Sequence, residues 1–343
     1  MTDIKSFDIN SLSEYLVENG FEKFRGKQVY SWLVKGVTSF DQMSNIPQKL
    51  REFLESNTYI SFAEIKRKQI SKIDGTVKYL FKFNDGEYVE SVVMNYHHGY
   101  SICISSQVGC KMGCTFCATG KSGFSRSLTP SEMLCQIESA QKDLGIRISN
   151  VVIMGMGEPL DNYDNVLKFL HLVSSSDNLN IGMRHITLST CGIVPRIYDL
   201  ADENLQITLS VSLHASNDAI RSKTMPINRK YSIEELIKAC KYYINITNRR
   251  ISFEYAMISG VNDRDKDAEE LSNLLFGMLC HVNLIPVNNV NGNNFRKSDI
   301  KRQKAFCDIL ANKGITATVR RTLGSDIDAS CGQLKRNFDK GGV

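Results

Sequence analysis

Cys110, Cys114 and Cys117 stand in the run Gly109-Cys-Lys-Met-Gly-Cys-Thr-Phe-Cys-Ala118, a CxxxCxxC spacing that lets one short loop aim three thiols at one point. Three thiolates satisfy three irons of a cubane and leave the fourth open, whereas a plain electron-carrying cluster uses four cysteines. An amine and a carboxylate on one small molecule can chelate the open iron, and S-adenosylmethionine (SAM) carries both. The loop therefore reads as a SAM-cleaving [4Fe–4S] site. Zinc is the competing reading. A structural zinc takes four protein ligands, commonly as paired motifs, and His97 or His98 could supply the fourth, although neither belongs to a pair.

Other reactive or ligand-holding groups recur along the chain. Met154-Gly-Met-Gly-Glu-Pro-Leu160 offers Gly157, where backbone can approach a ligand closely, and Glu158, a partner for a cationic amine. Leu188-Ser-Thr-Cys-Gly192 and Ser210-Val-Ser-Leu-His-Ala215 place Ser189, Ser212 and His214 where a ribose or carboxylate could be held. His214 taken alone reads equally as a capping or core histidine. Asn288 closes the run Asn283-Leu-Ile-Pro-Val-Asn288 as an adenine or ribose contact. Cys103 lies seven residues before the cluster loop, and Cys331 lies in Gly324-Ser-Asp-Ile-Asp-Ala-Ser-Cys-Gly332, a segment with no apolar period to bury it. Cys135, Cys191, Cys240, Cys280 and Cys307 read as inert buried thiols.

Elements must bring these groups together. From residue 100 onward, candidate strands near Ile102, Val151, His185, Gln206, Ile251, His281 and Ile315 alternate with helices near Pro130, Tyr163, Val194, Ile233, Asp267 and Asp299. Six strand–helix units and a final strand predict an α/β fold, a partial (βα)6 TIM-like barrel, two units short of a closed eightfold one. Functional loops then belong at the carboxyl ends of the strands, where the cluster loop falls. Thr129-Pro-Ser-Glu132 is a capping box with proline in the first turn.

Upstream, residues 1–60 read as a small helical accessory unit that could dock RNA. It has a capping box at Ser11–Glu14, a stop at Gly20, a second helix from Gly26 to Lys35, and a third after Pro47. Residues 61–98 form a β-hairpin extension with a turn at Asn84-Asp85-Gly86. There Val77, Tyr79, Phe81 and Phe83 alternate with Lys78, Leu80 and Lys82. Glu90 stands among apolar residues of the return strand, either as an edge carboxylate or aimed at a cavity. The barrel core spans 99–322, and a loop carrying Cys331 spans 323–343.

The chain of 343 residues is 42% hydrophobic, enough for a full core, and no apolar run approaches the ~18 residues that would span a bilayer. The amino terminus lacks the layout of a secretion signal. Ten cysteines without a regular framework fit a reducing compartment, so a cytoplasmic protein is expected, with a monomer as the default state. The net charge of +5 is uneven: residues 296–343 hold eleven Lys or Arg against five Asp. Such a stretch suits a polyanion such as RNA, or simply a solvated face.

Ser105-Ser-Gln-Val-Gly-Cys110 through Phe116-Cys-Ala-Thr-Gly120, Gly155-Met-Gly-Glu-Pro159, Ser212-Leu-His214, Met225-Pro-Ile-Asn228 and Asp326-Ile-Asp-Ala-Ser-Cys-Gly-Gln333 closely resemble the RlmN-type radical-SAM methyltransferases. The resemblance implies methylation of carbon 2 of an adenine in 23S ribosomal RNA, and in many members also of adenosine 37 in certain tRNAs. It implies a [4Fe–4S] cluster on Cys110, Cys114 and Cys117, and two SAM molecules per turnover. Gly157, Glu158, Ser189, Ser212, Leu213, His214 and Asn288 become the SAM contacts.

By the same resemblance Cys331 takes a methyl from one SAM, and a 5′-deoxyadenosyl radical from a second SAM activates it. Cys103 then releases the product by forming a disulfide with Cys331, which needs their α-carbons within ~7 Å. Glu90 matches the proposed proton acceptor, and partial burial would have to raise its basicity. An electron donor such as flavodoxin or ferredoxin is implied. Cys191 departs from the small aliphatic residue expected in its turn. The Cfr-type sister family, which modifies carbon 8, shares the cluster loop and both reactive cysteines. Pro159, Ala215 and Pro286 lean toward carbon 2. A zinc-stabilised RNA-binding module without catalysis is the alternative from another class.

Overall fold

The computed structural model describes residues 1–121, 123–287, 295–327 and 334–335. Asn288 and Cys331 lie outside the described residues. Apolar side chains, among them Ile102, Val151, Leu188, Val211, Phe253 and Leu284, are buried on adjoining strands. Burial on both faces is what a parallel sheet covered by helices requires. The parallel strands are β6 (Gly99–Cys103), β9 (Ile148–Ile153), β10 (Ile186–Thr190), β11 (Thr208–Ser212), β12 (Ile251–Met257), β13 (Cys280–Pro286) and β14 (Ala317–Val319).

Between them run α4 (Pro130–Leu144), α5 (Tyr163–Ser174), α6 (Val194–Asp202), α7 (Asp218–Thr224), α8 (Ile233–Thr247), α9 (Asp265–Leu275) and α10 (Ile300–Asn312). The sheet is open, in the order β14-β13-β12-β11-β10-β9-β6-β5-β4-β3. Six crossovers and a closing strand are the partial barrel expected from the sequence. The predicted capping box at Thr129 and Glu132 starts α4.

The hairpin extends this sheet. Strands β3 (Glu64–Ile70), β4 (Val77–Lys82) and β5 (Tyr88–Tyr96) add to β6 in antiparallel pairing, with Leu80 opposite Glu90 and Lys78 opposite Val92. The alternation read along β4 placed Lys78 on a polar face; instead every β4 residue from Val77 to Phe81 is buried. One face packs toward α4 and the other toward the barrel interior. A strand covered on both sides loses its alternation, and Leu80 among the lysines was the visible sign.

Residues before the barrel form β1 (Thr2–Asp3), α1 (Ile9–Glu18), α2 (Phe24–Val34), α3 (Gln48–Asn57) and β2 (Thr58–Tyr59), around a separate core that includes Leu12, Leu16, Val29, Leu33 and Leu54. The cap of α1 is Asp8, three residues earlier than expected, with Ser11 completing the box. Two short strands, β7 (Gln107–Gly109) and β8 (Phe124–Ser127), pair across the base of the cluster loop. Among the described residues no helix is long and apolar enough to cross a membrane.

Candidate active site

The loop from Cys110 to Cys117 is held by its own backbone. Cys110 N–H donates to Gly123 O at 2.8 Å, Thr115 N–H to Thr224 O at 2.9 Å, and Cys117 N–H to Cys114 O at 3.1 Å. Gly109 has φ +79, and a Cβ there would stand 2.0 Å from Gly123 O, so only glycine fits. Cys110, Cys114 and Cys117 all line one cavity of about 420 Å³. Desolvation first, then neighbouring thiols and Glu158, push the Cys110 and Cys114 thiols up to about 12. Two neighbouring thiols this unwilling to ionise, Cys110 and Cys114, need a cationic centre to become thiolates. Iron supplies one, and the donor set therefore fits a cluster.

The second strand end meets this loop. Gly157 has φ +109, and a Cβ there would fall 2.6 Å from Gln107 Cβ. Met154–Glu158 is thereby pressed onto the backbone that leads to the cysteines. Glu158 is buried; its Oε1 accepts from Leu160 N–H at 3.0 Å and its Oε2 from Cys191 N–H at 2.7 Å. Burial raises its carboxyl above the usual range, against those hydrogen bonds. Cys191 is thus part of the cavity wall, its amide holding the carboxylate that faces the cysteines.

Ser189, Ser212 and His214 also line the cavity. His214 has φ +55, and its Nδ1 accepts from Ala256 N–H at 2.9 Å. That bond fixes the neutral tautomer with hydrogen on Nε2. Desolvation, with Arg221 nearby, drops its pKa to about 3. The ring meets Phe116 of the cluster loop edge-on, with centroids 4.8 Å apart. Leu213 is fully buried and absent from the cavity wall. Any ligand contact there would have to come through its neighbours.

Lys78, Glu90 and Cys103 line the same cavity. Of the two readings of Glu90, the cavity one holds. It is 2% exposed, with Oε2 2.6 Å from Lys78 Nζ, itself wholly buried. Its Oε1 accepts the Lys335 N–H at 2.6 Å. Burial raises the Cys103 thiol, opposed by Arg320. Arg320 and Arg321, from the basic carboxy-terminal stretch, reach the cavity mouth.

The tail is anchored on both sides of its undescribed stretch. Asp74 accepts from Gly324 N–H at 2.8 Å, and Asp326 accepts from Ser71 Oγ at 2.6 Å and Lys72 N–H at 2.8 Å. On the far side Leu334 is buried and Lys335 meets Glu90. The expected approach of Cys331 to Cys103 lies outside the described residues.

Three cavity or near-cavity residues escaped the sequence reading. Lys78 figured in the sequence only as one of the residues alternating with Val77, Tyr79 and Phe81. Glu254, on β12, accepts from Ser210 Oγ at 2.8 Å and Asn283 Nδ2 at 2.8 Å, at the cavity wall. Arg221 is fully buried in α7 and donates to Cys191 O at 2.6 Å, Ser212 O at 3.1 Å and Leu213 O at 3.2 Å. The glutamate sits in the apolar stretch Ile251–Met257, where a lone carboxylate is a detectable break in pattern. For Arg221 no local signal exists.

Residues 104–272 match the model of the Radical SAM superfamily, and residues 2–60 match that of the Ribosomal RNA large subunit methyltransferase N-terminal domain. The chain is 56% identical over 340 residues to the probable dual-specificity RNA methyltransferase RlmN of Clostridium tetani, covering 99% of this chain and 97% of that protein. It is 54% identical over 338 residues to the protein of the same name from Clostridium acetobutylicum, covering 98% of each. The crystal structure of a radical SAM methyltransferase from Sphaerobacter thermophilus superposes with a TM-score of 0.90 at 41% identity, over 97% of this chain and 99% of that one.

Proposed function

The chain belongs to the RlmN family of radical-SAM RNA methyltransferases, and from that premise we propose that it methylates carbon 2 of an adenosine in 23S ribosomal RNA and adenosine 37 of tRNAs. It is an enzyme that uses a [4Fe–4S] cluster and SAM. A zinc-stabilised module without catalysis is excluded by this membership. One observation carries the site reading: the cluster cysteines, the glycine-rich turn, the ends of β10 and β11, Cys103 and Glu90 all open onto one cavity.

When bound, the cluster supplies an electron and an open iron, and SAM supplies both a methyl group and the means to activate it. The chain does the rest. Cys110, Cys114 and Cys117 hold the cluster. Glu158, backed by Leu160 and Cys191 amides, receives the SAM amine, whose positive charge offsets the cost of ionising a buried carboxylate. Ser189, Ser212 and Asn288 orient the ribose and adenine. His214, neutral with an Nε2–H, offers a donor that does not change with pH across the working range.

Carbon 2 of adenine lies between two ring nitrogens and is too electron-poor to attack a sulfonium methyl, so the methyl must first reside on the protein. Cys331 accepts it by displacement. Glu90 removes the carbon-2 proton from the base–protein adduct, and Cys103 attacks the Cys331 sulfur to free the product as a disulfide forms. A one-electron donor of the flavodoxin or ferredoxin kind feeds the cluster, and a monomer suffices.

Mass analysis of nucleosides from RNA incubated with reconstituted enzyme tests the reading. 2-Methyladenosine is expected, and 8-methyladenosine would move the chain to the carbon-8 chemistry. Cys331→Ala should abolish methyl acceptance, whereas Cys103→Ala should stall a covalent protein–RNA adduct. Normal turnover in either variant removes that residue's role.

A further inference from the structure

The pair Lys78–Glu90 is expensive to bury. Both side chains are nearly or wholly out of water, 2.6 Å apart, and an apolar pair of similar volume would serve stability as well or better. They come from neighbouring strands as diagonal neighbours on one face, Leu80 standing opposite Glu90. That face is the wall of the reaction cavity, shared with Cys103. A pair kept at this cost on a cavity wall calls for a chemical reason.

We propose that Lys78 is a positioning residue that keeps Glu90 ionised and aimed, so that Glu90 can take the carbon-2 proton. The inference rests on the reading of Glu90 as proton acceptor given above. A carboxylate taken out of water without a cation stays protonated, and a protonated acid cannot act as a base. The ammonium on Oε2 removes that obstacle and fixes the carboxylate plane, leaving Oε1 as the accepting atom.

In the structure Oε1 is occupied by the Lys335 amide, which the substrate must replace. In the transfer the C2–H bond breaks, its electron pair stays on the ring and the proton moves to Oε1. Lys78 remains an ammonium throughout. Other charged or titratable groups around the pair are Cys103 on β6, Lys335 with its ammonium 3.9 Å from Glu87, and Arg320 and Arg321 beyond β14.

The test compares Lys78→Met, Lys78→Gln and Glu90→Gln in reconstituted enzyme with RNA, unlabelled or carrying deuterium at carbon 2 of the target adenine. Methyl transfer to Cys331, scored by protein mass, is expected to survive in all three. Glu90→Gln should lose about 10²-fold in turnover at every pH, the usual contribution of a general base. Each Lys78 variant should lose about tenfold at neutral pH, recover as pH rises, and show a larger deuterium effect than wild type as proton removal becomes limiting.

Wild-type turnover in Glu90→Gln would refute the base assignment itself. Stalled Glu90→Gln alongside Lys78 variants with unchanged pH profile and isotope effect would overturn only the role of Lys78. Loss of methyl acceptance in both Lys78 variants would overturn it too, since the lysine would then be needed before any proton moves.

Discussion

A single imidazole shows how far environment can set chemistry. His214 is held at φ +55 by the turn after β11, accepts the Ala256 amide on Nδ1, and has a pKa near 3. An unfolded histidine titrates near 6.5. Below that pH the unfolded chain takes up a proton that the folded one refuses, so stability falls as pH drops from about 6.5 toward 3, by at most ~1.4 kcal/mol per pH unit. His214→Asn should flatten this part of the acid sensitivity. Urea midpoints of the cluster-free protein at pH 6.5, 5.5 and 4.5 provide the check, and an unchanged slope would mean the imidazole titrates normally. The three cluster cysteines were legible because their chemistry demands fixed spacing within one loop. Lys78 was not, because a lysine's burial is decided by what covers the strand rather than by the strand.

At the scale of elements, α7 is the least readable piece and one of the most connected. Its Arg221 reaches the carbonyls of Cys191 after β10 and of Ser212 and Leu213 after β11, and also donates to Asn228 Oδ1 at 3.0 Å. One turn on, Thr224 O receives the cluster-loop amide of Thr115. A seven-residue helix thereby ties two strand ends to the loop of Cys110, Cys114 and Cys117. The strands and long helices were legible from apolar period and caps, as at Thr129. An arginine in a short polar helix carries no such mark, since only the assembled fold surrounds it with carbonyls. Arg221→Lys keeps the charge but loses the planar fork, leaving two or more buried carbonyls unpaired. The expected cost is ~3 kcal/mol, with weaker SAM binding at intact cluster content. Urea unfolding and a SAM titration of the loaded enzyme measure the two effects; wild-type SAM affinity would show that the strand ends hold without it.

At the scale of the molecule, two cores meet across a polar joint. The amino-terminal core and the barrel core are separate apolar clusters. Between them Asp3 Oδ2 accepts from Thr129 Oγ1 at 2.8 Å, Ser61 Oγ at 2.9 Å, Ser6 Oγ at 3.2 Å and Ser131 Oγ. Lys5 pairs with Glu138 of α4 beside them. Nothing in the first six residues announces this, because three of the four hydroxyl partners, Ser61, Thr129 and Ser131, are more than fifty positions away. A joint of hydroxyls around one carboxylate is directional and easily broken, unlike an apolar interface that can repack. Asp3→Ala removes the shared acceptor and strands several buried hydroxyls, a loss of ~2–3 kcal/mol confined to the joint. Amide exchange should then quicken across α1, α2 and α3 together, while β9 through β12 keep their protection and the cluster loads normally. RNA methylation should weaken through a higher KM if the helical unit contacts RNA, because the barrel chemistry is untouched. Faster exchange throughout both cores would instead mean that the two cores open as a single cooperative unit, and the joint would then be part of one fold rather than a hinge between two.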